Sequence, residues 1–319
     1  MKSLVSIIIP AYNAEKYVKV AVDSALGQTY PSIEVIIIND GSVDGTAEAV
    51  KPYLSDKRVV YFEQPNGGIS RARNKAFELS HGDYITFLDT DDIDALEKVE
   101  EEVNFLEINH DYGVAYCRVL SFYDDAPEKM YEYDRPMPDG DIFRDLLRHQ
   151  FINPGSVMIR REVFAFENGF NPDFRDAEDW DLWRRLAYRG VKFGFVDKPL
   201  HYNRISKKSL SGFHNQVKMK KMNLRSFEAL FSRMSGDERK KYGEDKIFRL
   251  LKTKLAVAHL LLEEKKEAIV VLKDALKGSW RIAFYPFIIL FVKVIPGKLI
   301  SGLVKFFWQL KHKMLFYTE

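Results

Sequence analysis

Two short acidic clusters carry most of the chemical potential of this chain. Asp89-Thr90-Asp91-Asp92 ends the apolar run Tyr84-Ile85-Thr86-Phe87-Leu88, and Glu178-Asp179 stands just ahead of the helical stretch Trp180 to Leu186. Carboxylates at the end of a buried strand can hold a hard divalent cation, which takes oxygen ligands. A carboxylate from elsewhere in the chain can serve as a general base, and the neighbouring Trp180 and Trp183 offer apolar surroundings that raise its proton affinity. Together the clusters point to metal-assisted transfer on a phosphorylated donor. The plainer alternatives are an acidic turn that caps the next helix and two acids favoured by a helix N-terminus.

Such groups need a rigid frame, and the first ninety residues predict one. Short β-branched runs at Val5 to Ile9, Glu34 to Ile38, Arg58 to Phe62 and Tyr84 to Leu88 alternate with helical patterns at Glu15 to Leu26, Thr46 to Leu54 and Ile69 to Leu79. Continuous apolar strands alternating with helices predict a mostly parallel, Rossmann-like α/β sheet flanked by helices. Ligands on such sheets sit at the carboxyl ends of the strands. The polar loops Tyr12-Asn13, Asp40-Gly41-Ser42, Asn66-Gly67-Gly68 and Asp89-Thr90-Asp91 all fall there. Further on, Leu96 to Ile108 predicts a helix, Gly113 to Phe122 and Ser156 to Ile159 predict strands, and Asp124 to Asp141 reads as a mobile loop over a site. Past Gly212 the pattern becomes helical, over Gln216 to Phe231 and Lys246 to Lys277. The expected division is therefore a catalytic domain over 1–212 and a helical extension over 213–319.

Composition narrows the class. The 319 residues are 46% hydrophobic and 29% charged, ample for a large core. A formal charge of +2 gives no bulk argument for nucleic acid. The single Cys117 excludes an intrachain disulfide and thiolate metal clusters, which fits a reducing cytosol. In the last forty residues, Lys293, Lys298, Lys305, Lys311 and Lys313 interleave with Phe306, Phe307, Trp308, Phe316 and Tyr317. Neither apolar piece there reaches the ~20 residues of a spanning helix, so the expectation is helices lying in a membrane interface, with a helical cap on the catalytic domain as the alternative.

Taken in order, five motifs stand together: Val5 to Asn13, Ile38 to Thr46, Asn66-Gly67-Gly68 with Arg71-Ala72-Arg73-Asn74, Phe87 to Asp92, and Glu178 to Leu182. This set resembles the inverting nucleotide-sugar glycosyltransferases of family 2, with the GT-A fold, over about the first two-thirds of the chain. The resemblance implies that Pro10, Ala11, Tyr12 and Glu15 form the first nucleotide-contacting loop and that Asp40 accepts from the uracil N3–H. It implies that Gly68, Arg71, Asn74, Asp89 and Thr90 line nucleotide and donor sugar. It makes Asp91, with Asp89, the metal site for Mn²⁺ or Mg²⁺, and Asp179 the catalytic base. Glu178, Trp180 and Asn153 are expected to border the acceptor. Two positions depart from the family pattern. Asn39 precedes Asp40 where many relatives have two acids, and Ser206 takes the place of a histidine before the late Ser-Leu-Ser, leaving Arg204, Lys207 or Lys208 to neutralise the diphosphate. His201 and His214 read as structural or surface residues.

The resemblance thus implies transfer from a UDP-sugar to an acceptor hydroxyl. The acceptor is expected to be a saccharide or a lipid-linked saccharide in bacterial surface glycan assembly. The protein would be cytoplasmic and peripheral on the inner face of the membrane, with no nucleic-acid partner. The rivals are a sugar-nucleotidyltransferase, which needs a Gly-rich basic loop where Pro10-Ala11-Tyr12-Asn13-Ala14 stands, and a non-catalytic nucleotide-sugar-binding or membrane scaffold protein. Trp180-Asp181-Leu182-Trp183-Arg184 lacks the Gln-x-x-Arg-Trp pattern of processive synthases, so one or a few additions are expected rather than polymerisation.

Overall fold

The computed structural model describes residues 2–132, 137–205 and 215–276. Expectations for Ser206, Lys207, Lys208, His214 and the basic-aromatic segment 283–317 lie outside them. The chain divides into two compact units, Met1–Ser206 and Lys207–Glu319.

The first unit is built on a nine-stranded sheet. Its strands are β1 (Val5–Ala11), β2 (Ile33–Asn39), β3 (Val59–Glu63), β4 (Tyr84–Phe87), β5 (Ile93–Asp94), β6 (Tyr112–Tyr123), β7 (Ala126–Glu132), β8 (Val157–Arg160) and β9 (Lys192–Ile205). The order is β3-β2-β1-β4-β8-β6-β9-β5, with β7 paired to β6. The β3-β2-β1-β4 block is parallel. Beyond it β8 runs antiparallel to both β4 and β6, while β6 and β9 are parallel. Val5, Ile7, Ile8 and Ile9 of β1 and Val35 to Ile38 of β2 are wholly buried, each worth about 1.5–3 kcal/mol. Such burial on both faces is what a parallel sheet between helices demands.

Helices α1 (Val18–Leu26), α2 (Thr46–Val50), α3 (Ile69–Leu79) and α4 (Lys98–Ile108) connect the first strands. Helix α1 starts three residues later than its periodicity predicts, because Glu15 binds the Gly45 N–H instead of opening a helix. Pro52 turns the expected Thr46 to Leu54 helix into α2 and a 3₁₀ turn over Lys51–Ser55. The expected mobile loop at Asp124 is corrected as well: Ala126–Glu132 forms β7, a hairpin partner of β6. Helices α5 (Phe143–Leu146), α6 (Arg161–Phe166) and α7 (Glu178–Tyr188) complete the unit.

The second unit contains α8 (Gln216–Ser232), α9 (Gly236–Tyr242), α10 (Glu244–Leu261) and α11 (Lys265–Leu276). A capping box between Ser235 and Glu238 starts α9. The single helix expected over Lys246 to Lys277 is two, because Glu263 takes φ 64° between α10 and α11. Ala256 and Leu260 of α10 pack on Ala268 and Leu272 of α11. No described helix is long and apolar enough to cross a membrane.

Candidate active site

The strand ends carry interlocked loops. At the end of β1, Asn13 turns with φ 49°, a conformation that Asn tolerates better than most residues. Its N–H donates to Ser42 Oγ and its Oδ1 accepts from the Val43 N–H. Ala14 N–H donates to Thr46 Oγ1, and Glu15 N–H to Asp44 Oδ2. Asp40 is almost wholly buried and clamps the next loop. Its Oδ1 accepts from Gln64 Nε2 and the Gly67 N–H, and its Oδ2 accepts from the Gly68 N–H at 2.8 Å. A carboxylate offers about four lone-pair sites, so Asp40 keeps capacity for one more donor. Gly68 (φ 86°) lies in the region that favours glycine, and the exposed Arg175 guanidinium lies within about van der Waals reach of where its Cβ would be.

The acid turn after β4 is anchored from below. Asp92 Oδ1 accepts from the Arg204 N–H at 2.8 Å and from Asn203 Nδ2, while its Oδ2 faces His201 Nε2 at 3.2 Å. His201 Nδ1 lies 2.7 Å from Asp94 Oδ1. Burial alone would lower the His201 pKa, but Asp92 and Asp94 hold it up at about 9. Asp94 then meets Lys98 at 3.5 Å, and Lys98 meets Glu102 at 3.3 Å and donates to Thr86 Oγ1. This row of buried charges is a foundation, and both oxygens of Asp92 are paired within it. Asp91, above it, remains half-buried, with a pKa pushed up to about 7 by burial and by Asp92 and Asp89. Asp91 itself forms no ion pair among the described residues, and an all-oxygen set suits Mn²⁺ or Mg²⁺. Among the described residues no three His, Cys, Asp or Glu side chains could hold an ion by themselves. Ligands from a bound substrate would have to complete the shell.

Arg73 joins the two acidic clusters. It is 1% exposed, and Nη2 donates to Asp89 Oδ1 at 2.7 Å while Nη1 donates to Glu178 Oε1 at 3.3 Å. Its guanidinium stacks over Phe87 and Phe170 at 5.8 and 5.1 Å, packing that suits a buried arginine. Residues 73, 89 and 178, distant in sequence, therefore meet in one ion-pair cluster. Asn74, next on α3, pairs both ways with the Phe170 backbone: Nδ2 donates to its carbonyl and Oδ1 accepts from its N–H. That latch fixes the segment leading to α7, where Asp176 takes φ 71°. Such strain clusters at functional sites. Asp179 is half-buried, and burial and the neighbouring Glu178 push its pKa up to about 7.

Several expected positions take other parts. Glu178 is buried and pairs with Arg73. Asn74 pairs with the Phe170 backbone. Arg73, not Arg71, reaches the acids; Arg71 is exposed, with its side chain against Gly67. Trp183 lies in the core against Phe170 and Phe193, while Trp180 stays half-buried. Asn153 caps the turn Pro154–Ser156 and meets Asn203. Pro10, Tyr12 and Glu15 line the exposed edge of the first loop, Ala11 is buried beneath it, and Thr90 is half-buried in the acid turn. Arg204, the first of the three cations proposed for a diphosphate, donates to the Asp91 carbonyl and pairs with Asp124. His201 has the structural place the sequence suggested, while the Arg73 bridge was not foreseen. Arg73's signal was its place one residue before Asn74, on the α3 face that also buries Ser70 and Ala76.

Residues 6–166 match the model described as "Glycosyl transferase family 2". The chain belongs to that family. Family members similar to it include the glycosyltransferase GlyA of Streptococcus pneumoniae, 31% identical over 230 residues, covering 65% of this chain and 31% of that one. The chondroitin synthase of Pasteurella multocida is 36% identical over 205 residues, covering 63% of this chain and 20% of that one. An uncharacterised glycosyltransferase of Rickettsia typhi is 34% identical over 188 residues, 56% of this chain and 57% of its own. This glycosyl transferase family 2 chain thus spans from under a third to just over half of the first curated relatives it matches. Its fold is that of S. aureus TarS 1-349 solved with UDP-GlcNAc (TM-score 0.62, 17% identity, 96% of this chain and 92% of that one). The Pyrobaculum calidifontis mannosyltransferase PcManGT, solved with GDP-Man and Mn²⁺, has the same fold (TM-score 0.62, 17% identity, 100% and 89%).

Proposed function

We propose that this chain is an inverting glycosyltransferase that passes a sugar from a UDP-sugar to an acceptor hydroxyl, with Asp179 as general base. The observation that supports the reading is the Arg73 bridge, which holds Asp89 and Glu178 on one guanidinium, with Asp179 next to Glu178 in sequence. The remaining acceptor capacity of Asp40 supports a nucleobase N–H as its next donor. Pro10, Ala11, Tyr12 and Glu15 frame that nucleotide, while Gly68 and Arg71 border its diphosphate side. A divalent cation, when held by Asp91 with Asp89 beside it, supplies charge stabilisation to the departing diphosphate.

Asp179 takes the proton of the acceptor hydroxyl. The freed oxygen pair bonds to the anomeric carbon from the face opposite the leaving group, and the C–O bond to the diphosphate breaks with its electrons. One displacement inverts the anomeric centre, through the oxocarbenium-like transition state of glycosyl chemistry. A base works best with a pKa near the working pH, and the raised proton affinity of Asp179 meets that need. Trp180 and Asn153 border the acceptor. We read the acceptor as a lipid-linked saccharide in bacterial surface glycan assembly, at the inner face of the cell membrane, receiving one or a few sugars.

Release of nucleoside diphosphate from a panel of nucleotide sugars, with Mn²⁺ and then EDTA, tests the reading. Asp179→Asn should lower kcat by about 10²–10⁴-fold with UDP affinity nearly unchanged. An Asn variant that keeps most of its turnover removes Asp179 from this role.

A further inference from the structure

The formal charge of +2 hides a steep partition between the two units. Met1–Ser206 carries 24 Lys and Arg against 36 Asp and Glu, a net −12. Lys207–Glu319 carries 24 Lys and Arg against 10 Asp and Glu, a net +14. The excess is not confined to the last forty residues, because 215–276 holds 15 basic and 9 acidic side chains, a net +6. Opposite charge in two halves of one chain points to an anionic partner for the basic half.

Helix α8 shows where part of that charge lies. Asn223, Ser226, Phe227, Leu230 and Phe231 form its buried face. Lys218, Lys221 and Arg225 are exposed and recur at helical spacing on the opposite face. The helix therefore turns a mostly apolar face inward and outward a stripe of three basic residues that ends at the exposed Glu228. We propose that the second unit is a docking module for anionic phospholipid headgroups, with the α8 stripe as one contact face.

Lipid is favoured over a soluble polyanion by the apolar side chains that accompany the charge. Leu250, Val257 and Val270 are exposed in this unit, and the sequence of 283–317 interleaves lysines with aromatics. Basic residues beside apolar ones suit a headgroup boundary. The inference rests on the membrane-facing part of the reading above and is independent of the transfer chemistry.

Sedimentation of the full chain with vesicles tests it. The chain should bind phosphatidylcholine vesicles that contain phosphatidylglycerol, not phosphatidylcholine alone, and salt should release it. Lys218→Glu, Lys221→Glu and Arg225→Glu together should weaken that binding at least about tenfold, with an unchanged melting temperature and unchanged release of nucleoside diphosphate. Equal binding to both vesicle types, or insensitivity to salt, would overturn the proposal whatever the variant does. Full binding by the folded triple variant would also overturn it. So would capture by heparin or single-stranded DNA without vesicle binding, which makes the partner a soluble polyanion. Lost nucleotide chemistry with intact vesicle binding would instead count against the catalytic reading alone.

Discussion

Arg73 is the residue on which both acids depend, because it is buried and has carboxylates on two sides. Removing one partner of a buried ion pair leaves the others unpaired, at a cost of ~3–5 kcal/mol. Arg73→Met should therefore lower the melting temperature and reduce kcat at least as much as donor affinity. Arg73→Lys should restore part of the stability and little of the turnover, since one ammonium cannot reproduce the two-pronged geometry. A folded Met variant with full activity would show that the bridge is dispensable. Asp179 yields a second expectation. Its pKa is raised to about 7, and a base works only when deprotonated, so kcat should rise with pH through an acid limb centred near 7. A flat profile down to pH 5, the range of an ordinary carboxylate, would contradict it.

Elements decide how firmly these residues are held. Strand β9 carries His201, Asn203 and Arg204 up to the acid turn, and β5 pairs with it through Ile93 and Asp94. Gly155, in the turn before β8, lets His201 approach. A Cβ there would lie 2.2 Å from the imidazole Cε1, and the ring is fixed by Asp92 and Asp94. Gly155→Ala should cost at least the ~1–3 kcal/mol typical of overpacking, read as a fall in melting temperature, and should weaken donor binding through the displaced Asp92. Unchanged stability would mean that the histidine has room to move. Sequence reasoning found the strand ahead of the acid turn but not β9. Asp197-Lys198-Pro199 interrupts the alternation of β9, and the register with β6 slips beside Pro199. Strand pairing overrode the local pattern there.

At the scale of the whole molecule, a sheet with a parallel and a mixed half brings loops from three different regions to one edge. Burial, and then neighbouring like charge, raise the pKa values of Asp91 and Asp179 there. A ligand that binds only the folded state stabilises it in proportion to RT ln(1 + [L]/Kd). UDP with Mn²⁺ should therefore raise the melting temperature, by about 2.7 kcal/mol of stability at a hundredfold excess over Kd, and EDTA should cancel most of the shift. A UDP effect indifferent to EDTA would place the diphosphate on protein cations alone.

The sequence by itself determined the parallel block and singled out the candidate acids. Both rest on local information: runs of β-branched residues, the turns after them, and Asp or Glu where a strand or helix changes to loop. Tertiary structure decided which side chains meet. Arg71 and Arg73 are nearly indistinguishable on a helix read in one dimension, yet only Arg73 is buried between Asp89 and Glu178. Packing gives Asn74 a backbone partner and Glu178 an arginine, which the sequence alone does not show. Burial and pairing depend on residues a hundred positions away, and no periodicity records those distances.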